Sequence, residues 1–261
     1  MGEPEVVLER SGSIARVILN RPERRNALGV RTLPALNGVL DAIEADRDIG
    51  VVVLTGRGPV FCGGGDLDEI MSPERTDREW EFGIIRGYNR VVRRLRQLDP
   101  PVIAAVNGPA AGGGAALAMA CDIAIAAESA RYDFVFERIG LASADMGCTY
   151  LLPRIVGPVR ASYLLLTGGS VSAREGLALG LFVDVVPDGA LDETAMRVAE
   201  RIAAGPRRAS FISKLALRRG ESLDLDTDLE YEAYLQSFAF RSDDHKRRLA
   251  AFRAKRRAKP Q

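Results

Sequence analysis

Cys62-Gly63-Gly64-Gly65-Asp66 and Asn107-Gly108-Pro109-Ala110-Ala111-Gly112-Gly113-Gly114 are the two stretches that decide how this chain is read. Each follows a β-branched run and each leads into a helical pattern, so the chain offers two strand-to-helix turns. Paired turns of this kind can aim two backbone N–H groups at one point. An oxyanion hole needs that arrangement, with donors ~2.7–3.1 Å from an oxygen that becomes negative. Glycine suits the task, because without a Cβ it lets the backbone approach a ligand and takes positive φ at little cost. A helix starting just behind each turn adds unpaired amides and the positive end of a helix dipole.

Outward from the turns, Val51-Val52-Val53-Leu54, Val102-Ile103-Ala104-Ala105-Val106 and Ile123-Ala124-Ile125-Ala126 are continuously apolar, as strands covered on both faces are. The helical segments between them predict an α/β core with parallel crossovers. Upstream, Val6-Val7-Leu8 and Ala15-Arg16-Val17-Ile18-Leu19 flank Ser11-Gly12-Ser13, the composition of a hairpin. Asn26 reads as a helix N-cap, followed as far as Asp46 by Leu28, Leu33, Leu36, Leu40 and Ile43 at helical spacing. Residues 73–98 read as a charged amphipathic helix with a mobile approach after Met71, closed by Pro100-Pro101. Ile139-Gly140-Leu141 is strand-like, and beyond Pro153 the pattern is all-helical. Residues 243–259 form a basic amphipathic helix with Leu249 and Phe252 on its apolar face. The expected division is a core over residues 1–195 and a helical region over residues 196–261.

Composition narrows the class. The 261 residues are 47% hydrophobic and 27% charged, enough for one substantial core. Lys and Arg number 36 against 35 Asp and Glu, a net charge of +1, so no global field favours nucleic acid or a membrane surface. Three cysteines make no disulfide framework and fit a reducing compartment. The polar start lacks the pattern of a signal peptide, and no apolar run approaches the ~18 residues of a membrane span. The expected location is the cytoplasm.

Several words along the chain are shared with a known family. Asn20-Arg21-Pro22 with Arg25-Asn26-Ala27-Leu28, Phe61-Cys62-Gly63-Gly64-Gly65-Asp66-Leu67, Ala105-Val106-Asn107-Gly108 with Gly112-Gly113-Gly114, Cys121-Asp122-Ile123 and Leu152-Pro153-Arg154 stand in order over nearly the whole chain. In these the chain resembles the crotonase (enoyl-CoA hydratase/isomerase) family. The resemblance implies a crotonase-like spiral of ββα units with a helical C-terminal trimerisation region, assembling as a homotrimer or a dimer of trimers. It implies substrates held as coenzyme A thioesters, as in fatty acid metabolism, with no permanently bound cofactor and no metal. It puts the two oxyanion-hole amides on Gly65 and Gly113, in agreement with the reading of the turns. A thioester carbonyl held there can carry enolate charge, which acidifies its α-carbon.

Proton transfer is where the chain departs from its relatives. The best-known hydratases place a glutamate on the helix opened by the second glycine triplet, and the matching residue here is Ala116, whose methyl group cannot activate water. The place of the second family glutamate is Phe136 when counted forward from Asp122 and Glu137 when counted back from Thr149. A further carboxylate, Asp145, stands where isomerase and dehalogenase relatives carry a catalytic aspartate. Glu137 is the first choice for the acid/base and Asp145 the second. The bland readings are an exposed Glu137 paired with Arg138 or Arg131, and an Asp145 that caps a helix.

For the coenzyme, Arg24 and Arg25 precede Asn26-Ala27-Leu28, a segment that in the family approaches adenine and phosphates, and arginine offers a charge-assisted fork for phosphate. Ala27, Gly64, Asp66 and Leu67 fall along the same substrate path. Asp66 and Asp68 also start a helix, where orphan amides stabilise a carboxylate. In relatives a basic C-terminal residue helps to grip the coenzyme, and the tail here supplies Arg248, Lys255 and Arg256. His245 reads as exposed, and Cys62, Cys121 and Cys148 as small core residues.

Rival classes fare worse. A dinucleotide-dependent oxidoreductase is imitated by the strand, glycine loop and strand ending at Glu128, but Leu117 stands where the third fingerprint glycine belongs. A P-loop is excluded, since no glycine-rich segment ends in Gly-Lys-Ser/Thr. A catalytically silent scaffold or RNA-binding subunit is motivated by Ala116 and the basic tail, and opposed by the near-zero net charge and by the presence of both glycines. The expected chemistry is hydration or isomerisation of an enoyl-CoA double bond, with the missing glutamate tilting it toward isomerisation.

Overall fold

The computed structural model describes residues 3–71 and 77–257. Its first strands, β1 (Val6–Ser11) and β2 (Ile14–Leu19), form the expected hairpin around Gly12, whose φ is 59°. Next to β2 come three parallel strands, β3 (Val51–Gly56), β4 (Val102–Val106) and β6 (Ile123–Ala127). Every residue of β3 and β4 is buried, as their continuous apolar runs require. A last parallel strand, β9 (Asp184–Val186), closes that sheet, and a second small sheet is ordered β5 (Pro109–Ala111), β7 (Arg131–Asp133) and β8 (Ser170–Ser172).

Both β8 and β9 fall in the stretch expected to be all-helical. A three-residue strand is too short to show alternation, and β8 offers Val171 as its one buried residue between two exposed serines. Ile139-Gly140-Leu141 is no strand either. Ile139 ends a 3-10 turn, Gly140 has a φ of 72°, and all three residues are exposed.

Helix α1 (Thr32–Ala45) buries Leu33, Leu36, Leu40 and Ile43 against the sheet, following the expected spacing. It starts later than Asn26, which is not its cap. The Asn26 side chain accepts the Arg21 N–H (2.9 Å) and donates to the carbonyls of Arg57 (2.9 Å) and Val60 (2.7 Å), with φ at 54°. It ties the loop after β2 to the exit of β3. After the short α2 (Leu67–Ile70), α3 (Arg78–Gln97) turns Tyr88, Val91, Val92 and Leu95 inward and is capped by Asp77, whose side chain accepts the Trp80 N–H at 2.7 Å. The expected start of that helix at residue 73 and its mobile approach lie outside the described residues, in part or whole.

The fully buried α4 (Gly113–Met119) is followed by α5 (Cys148–Val156), α6 (Pro158–Thr167), α7 (Ala173–Ala178) and α8 (Leu191–Ala203). Leu191, Ala195 and Ala199 of α8 are buried in the central core, so the expected division at residue 195 falls inside a core helix. Three helices follow, α9 (Arg207–Gly220), α10 (Leu225–Phe240) and α11 (Asp243–Arg257). The expected end of α11 at residue 259 lies outside the described residues. A buried Lys214 fastens α9 to the core. Its ammonium bonds Asp122 (2.8 Å) and the carbonyls of Pro100 (3.1 Å) and Leu95 (3.3 Å).

Candidate active site

The first glycine turn is stitched to the chain before it. Gly63 donates to the Arg25 carbonyl (2.8 Å), Leu28 donates to Gly64 (2.7 Å), and Asp66 donates back to Leu28 (3.1 Å). In a planar trans peptide the C=O and N–H point opposite ways, so holding the Gly64 carbonyl toward Leu28 turns the Gly65 N–H away from it. At the second turn Gly112, with φ at 49°, donates to Asp133 (2.8 Å) and accepts from Ala116 (3.1 Å). That acceptance opens α4 and leaves the Gly113 N–H pointing off the open end of the helix.

The two turns then pack on each other. A Cβ placed on Gly64 would lie 3.4 Å from the Gly113 nitrogen, and one placed on Gly113 would lie 3.9 Å from the Gly65 nitrogen. A Cβ on Gly114 would run into the Cys62 carbonyl. Neither the Gly65 nor the Gly113 N–H has a hydrogen-bond partner among the described residues. Two free donors therefore stand close together where the two turns meet.

Asp145 heads a turn of its own that packs against the second glycine turn. Met146 and Gly147 take positive φ (46° and 80°), the Asp145 carbonyl accepts from Cys148 (2.9 Å), and its carboxylate accepts from Met146 (2.9 Å). Gly147 holds the N-cap position of α5, so Asp145 does not cap that helix. The Met146 sulfur lies 2.7 Å from where a Cβ on Gly113 would sit, which sets this turn against the second glycine turn. On the other side is Tyr88, whose hydroxyl is 3.3 Å from where a Cβ on Gly65 would sit. Burial pushes the Asp145 carboxyl above its ordinary value, opposed only in part by the Met146 amide. Burial first, and the Asp145 charge second, push the Tyr88 phenol up and the Cys148 thiol up to about 12.

Glu137 is differently placed, on the 3-10 turn Phe136–Ile139. One carboxylate oxygen lies 2.6 Å from the Ser143 hydroxyl, which also reaches the Leu165 carbonyl at 2.9 Å. The other, Oε2, is buried with no hydrogen-bond partner among the described residues. Arg138 and Arg131 are occupied elsewhere, on the Gly168 carbonyl (2.9 Å) and on Asp133 (2.9 Å). Phe136, the alternative in the counting, lies with its ring 3.5 Å from where a Cβ on Gly112 would sit. Ala116 is fully buried on α4.

Comparison with known proteins decides the family, since a family model described as enoyl-CoA hydratase/isomerase matches residues 9–260. The chain belongs to the enoyl-CoA hydratase/isomerase family. It is an enzyme of that crotonase group and shares its fold. It is 40% identical to the 1,2-epoxyphenylacetyl-CoA isomerase of Escherichia coli, over 93% of each chain. With the short-chain-enoyl-CoA hydratase of Clostridium acetobutylicum it shares 39% identity over 97% of this chain and 95% of the relative. The solved structure of an enoyl-CoA hydratase from Bacillus anthracis superposes with a TM-score of 0.92 at 34% identity, covering 96% of each chain. No helix among the described residues is long and apolar enough to cross a membrane.

Around the glycine turns of this crotonase, the two arginines expected to meet the coenzyme part ways. Arg24 is bonded to Asp66 (2.7 Å) and Asp68 (2.6 Å), and Arg21 adds a contact to Asp66 at 3.2 Å. Burial alone would raise the Asp66 carboxyl, but the bond from Arg24 and the charge of Arg21 hold it below the usual carboxylate range. Asp66 precedes α2 without capping it through its side chain, so its structural role is the ion pair. Arg25 is exposed and unpaired among the described residues, beside Gly63, where a Cβ would lie 3.4 Å from the Arg25 Cβ. Ala27 is buried under this loop, and Leu67 is 41% exposed at the start of α2.

Three further candidates, Lys255, Arg248 and His245, lie on α11. Lys255 is exposed on α11 without an ion-pair partner among the described residues, while Arg248 is held by Asp244 (3.0 Å) and donates to the Ala204 carbonyl (2.9 Å). His245 is half-buried, its ring edge-on to Phe240 with centroids 5.6 Å apart. Cys62, Cys121 and Cys148 are free and buried, as expected. Met146 and Tyr88 were not singled out from the sequence. The signal for Tyr88 was present, because it stands on the inward stripe of a helix whose other faces are charged.

Proposed function

We propose that this crotonase shifts a double bond in an enoyl-CoA, with the thioester oxygen held between the N–H groups of Gly65 and Gly113 and with Asp145 as the proton carrier. The carboxylate takes a proton from Cα of a β,γ-unsaturated thioester, and the electron pair of that C–H bond flows toward the carbonyl. The resulting dienolate carries its charge on the oxygen that the two amides face. The protonated Asp145 then returns the proton at Cγ, leaving the α,β-unsaturated isomer. One carboxyl suffices for this shuttle, whereas hydration needs groups on both the water and the carbon.

The observation that carries the reading is the Asp145 turn. Met146 sets it against Gly113, and the phenol it acts on electrostatically, Tyr88, stands beside Gly65. Glu137, the first choice from counting, is engaged with Ser143 instead. A carboxyl raised by burial is also better matched to proton exchange near neutrality than an ordinary one. Arg25, free where Arg24 is not, is the residue assigned to a coenzyme phosphate, with Ala27, Gly64 and Leu67 along the path and Lys255 as a contact from the tail.

The same reading includes a homotrimer or a dimer of trimers. The support is that Leu217, Leu225, Tyr234 and Phe238 are exposed on α9 and α10, large apolar side chains that a subunit interface would cover. The test of the reaction is a panel of β,γ- and α,β-unsaturated acyl-CoA esters followed by absorbance and by deuterium entry at Cα and Cγ. Isomer formation with exchange at both carbons is expected. Hydroxyacyl-CoA as the main initial product would overturn the assignment in favour of hydration.

A further inference from the structure

Helix α3 carries one polar side chain on its buried stripe, Tyr88, which is 5% exposed. A buried phenol needs a hydrogen-bond partner, whereas phenylalanine would fill the same space without one. The partner is the Leu28 carbonyl, at 2.6 Å. Leu28 is the residue that grips both sides of Gly65, donating its N–H to the Gly64 carbonyl and accepting the Asp66 N–H on its own carbonyl, as a parallel bridge between Leu28 and Gly65. The two peptide planes that flank Gly65 are thus fixed by one residue. That residue's carbonyl is in turn held by Tyr88, more closely than by Asp66 (3.1 Å).

We infer that Tyr88 is a positioning residue for this reaction: by bonding the Leu28 carbonyl it sets the direction of the Gly65 N–H, the first donor of the oxyanion hole. The inference rests on the proposed binding of a thioester carbonyl between Gly65 and Gly113. A donor must be aimed at the place of the oxyanion before the charge develops, so its direction matters more to the transition state than to the ground state. Small misplacements of such groups are costly in rate. Ile70, whose Cδ1 is 3.0 Å from where a Cβ on Gly65 would sit, packs beside Tyr88 on the same glycine and limits where Gly65 can move when the clamp is released.

The test is Tyr88→Phe, which keeps the ring and removes the hydroxyl. The expected result is kcat lowered by about tenfold with KM within about twofold. A carbonyl-labelled acyl-CoA bound to the wild-type enzyme shows its thioester C=O stretch lowered from the solution value, and in Tyr88→Phe that band moves back toward solution. A purely structural tyrosine would change the unfolding temperature and leave the band in place. Incorporation of 3,5-difluorotyrosine at position 88, a stronger donor of the same shape, is expected to move the band the other way, and it serves as the test if Tyr88→Phe does not fold. If the wild-type band is lowered and neither variant moves it, the inference alone is overturned. If the wild-type enzyme does not lower the band at all, the binding mode fails and the inference falls with it.

Discussion

The sulfur of Met146 stands 2.7 Å from where a Cβ on Gly113 would sit, so position 113, unlike Gly114 beside it, is roofed by a flexible side chain rather than by backbone. A side chain at position 113 can therefore be admitted by moving Met146. Proline is compatible with the first position of a helix, which Gly113 occupies, and it removes the N–H outright.

Gly113→Pro and Gly113→Ala consequently make a matched pair. Both displace Met146, and only the first deletes the donor. With the proposed oxyanion hole, Gly113→Pro is expected to turn over about 10²–10³ times more slowly than Gly113→Ala. Circular dichroism and unfolding temperature establish that both are folded, and steady-state rates on the same acyl-CoA supply the ratio. Equal rates for the two would remove Gly113 from the hole.

The two adjacent arginines are expected to fail in different ways. Arg25→Met removes an exposed, unpaired guanidinium, so KM for a coenzyme A thioester rises by about tenfold at low salt and by less at high salt, while kcat stays near the wild-type value. Arg24→Met strips the Asp66 carboxylate of its closest partner and leaves it the longer Arg21 contact and the Glu69 amide. Its main effect is a lower unfolding temperature. Thermal unfolding and salt-dependent kinetics of the two single variants separate these outcomes, and a KM effect confined to Arg24→Met would exchange the roles.

Leu217 on α9 is 75% exposed and Leu225 on α10 72% exposed in the single chain. Sedimentation at micromolar concentration is expected to give a trimer or a multiple of it. Leu217→Asp with Phe238→Asp puts a charge at an exposed apolar position of each helix and is expected to lower the assembly toward monomer. A wild-type protein that sediments only as monomer contradicts the assembly.

What could be read in the sequence follows from how local each signal is. The glycine turns were legible because the need for close backbone approach is written into residue type, and the parallel strands because burial on both faces leaves continuous apolar runs. Asn26 misled because an Asn that bonds three backbone groups around a loop has the same composition as a cap. β8 and β9 were illegible because three residues cannot display a period. At the site, counting forward from Asp122 and back from Thr149 bore only on Phe136 against Glu137, and nothing local ranked Glu137 against Asp145. Only the Met146 and Gly147 turn, with its positive φ values, shows where that segment bends back to Gly113.

Asp145 then carries the sharpest expectation. Asp145→Asn keeps the size of the side chain and removes the base, so deuterium exchange at Cα falls by about 10²-fold or more while thioester affinity changes little. Glu137→Gln, altering a group engaged with Ser143, leaves exchange near the wild-type rate. Since burial raises the Asp145 carboxyl, kcat/KM of the wild-type enzyme declines on the acid side with a midpoint above the ordinary aspartate value of about 3.9. Stability runs the opposite way. The folded carboxyl keeps its proton to higher pH than the unfolded one, so this group's contribution is greatest below the unfolded value and is lost as pH rises through the folded one. Asparagine cannot ionise and escapes that loss, so Asp145→Asn is expected to be inactive yet at least as stable as the wild type at pH 7. Calorimetry and proton-exchange NMR on the same preparations measure both. Full exchange in Asp145→Asn together with its loss in Glu137→Gln would return the acid/base role to Glu137.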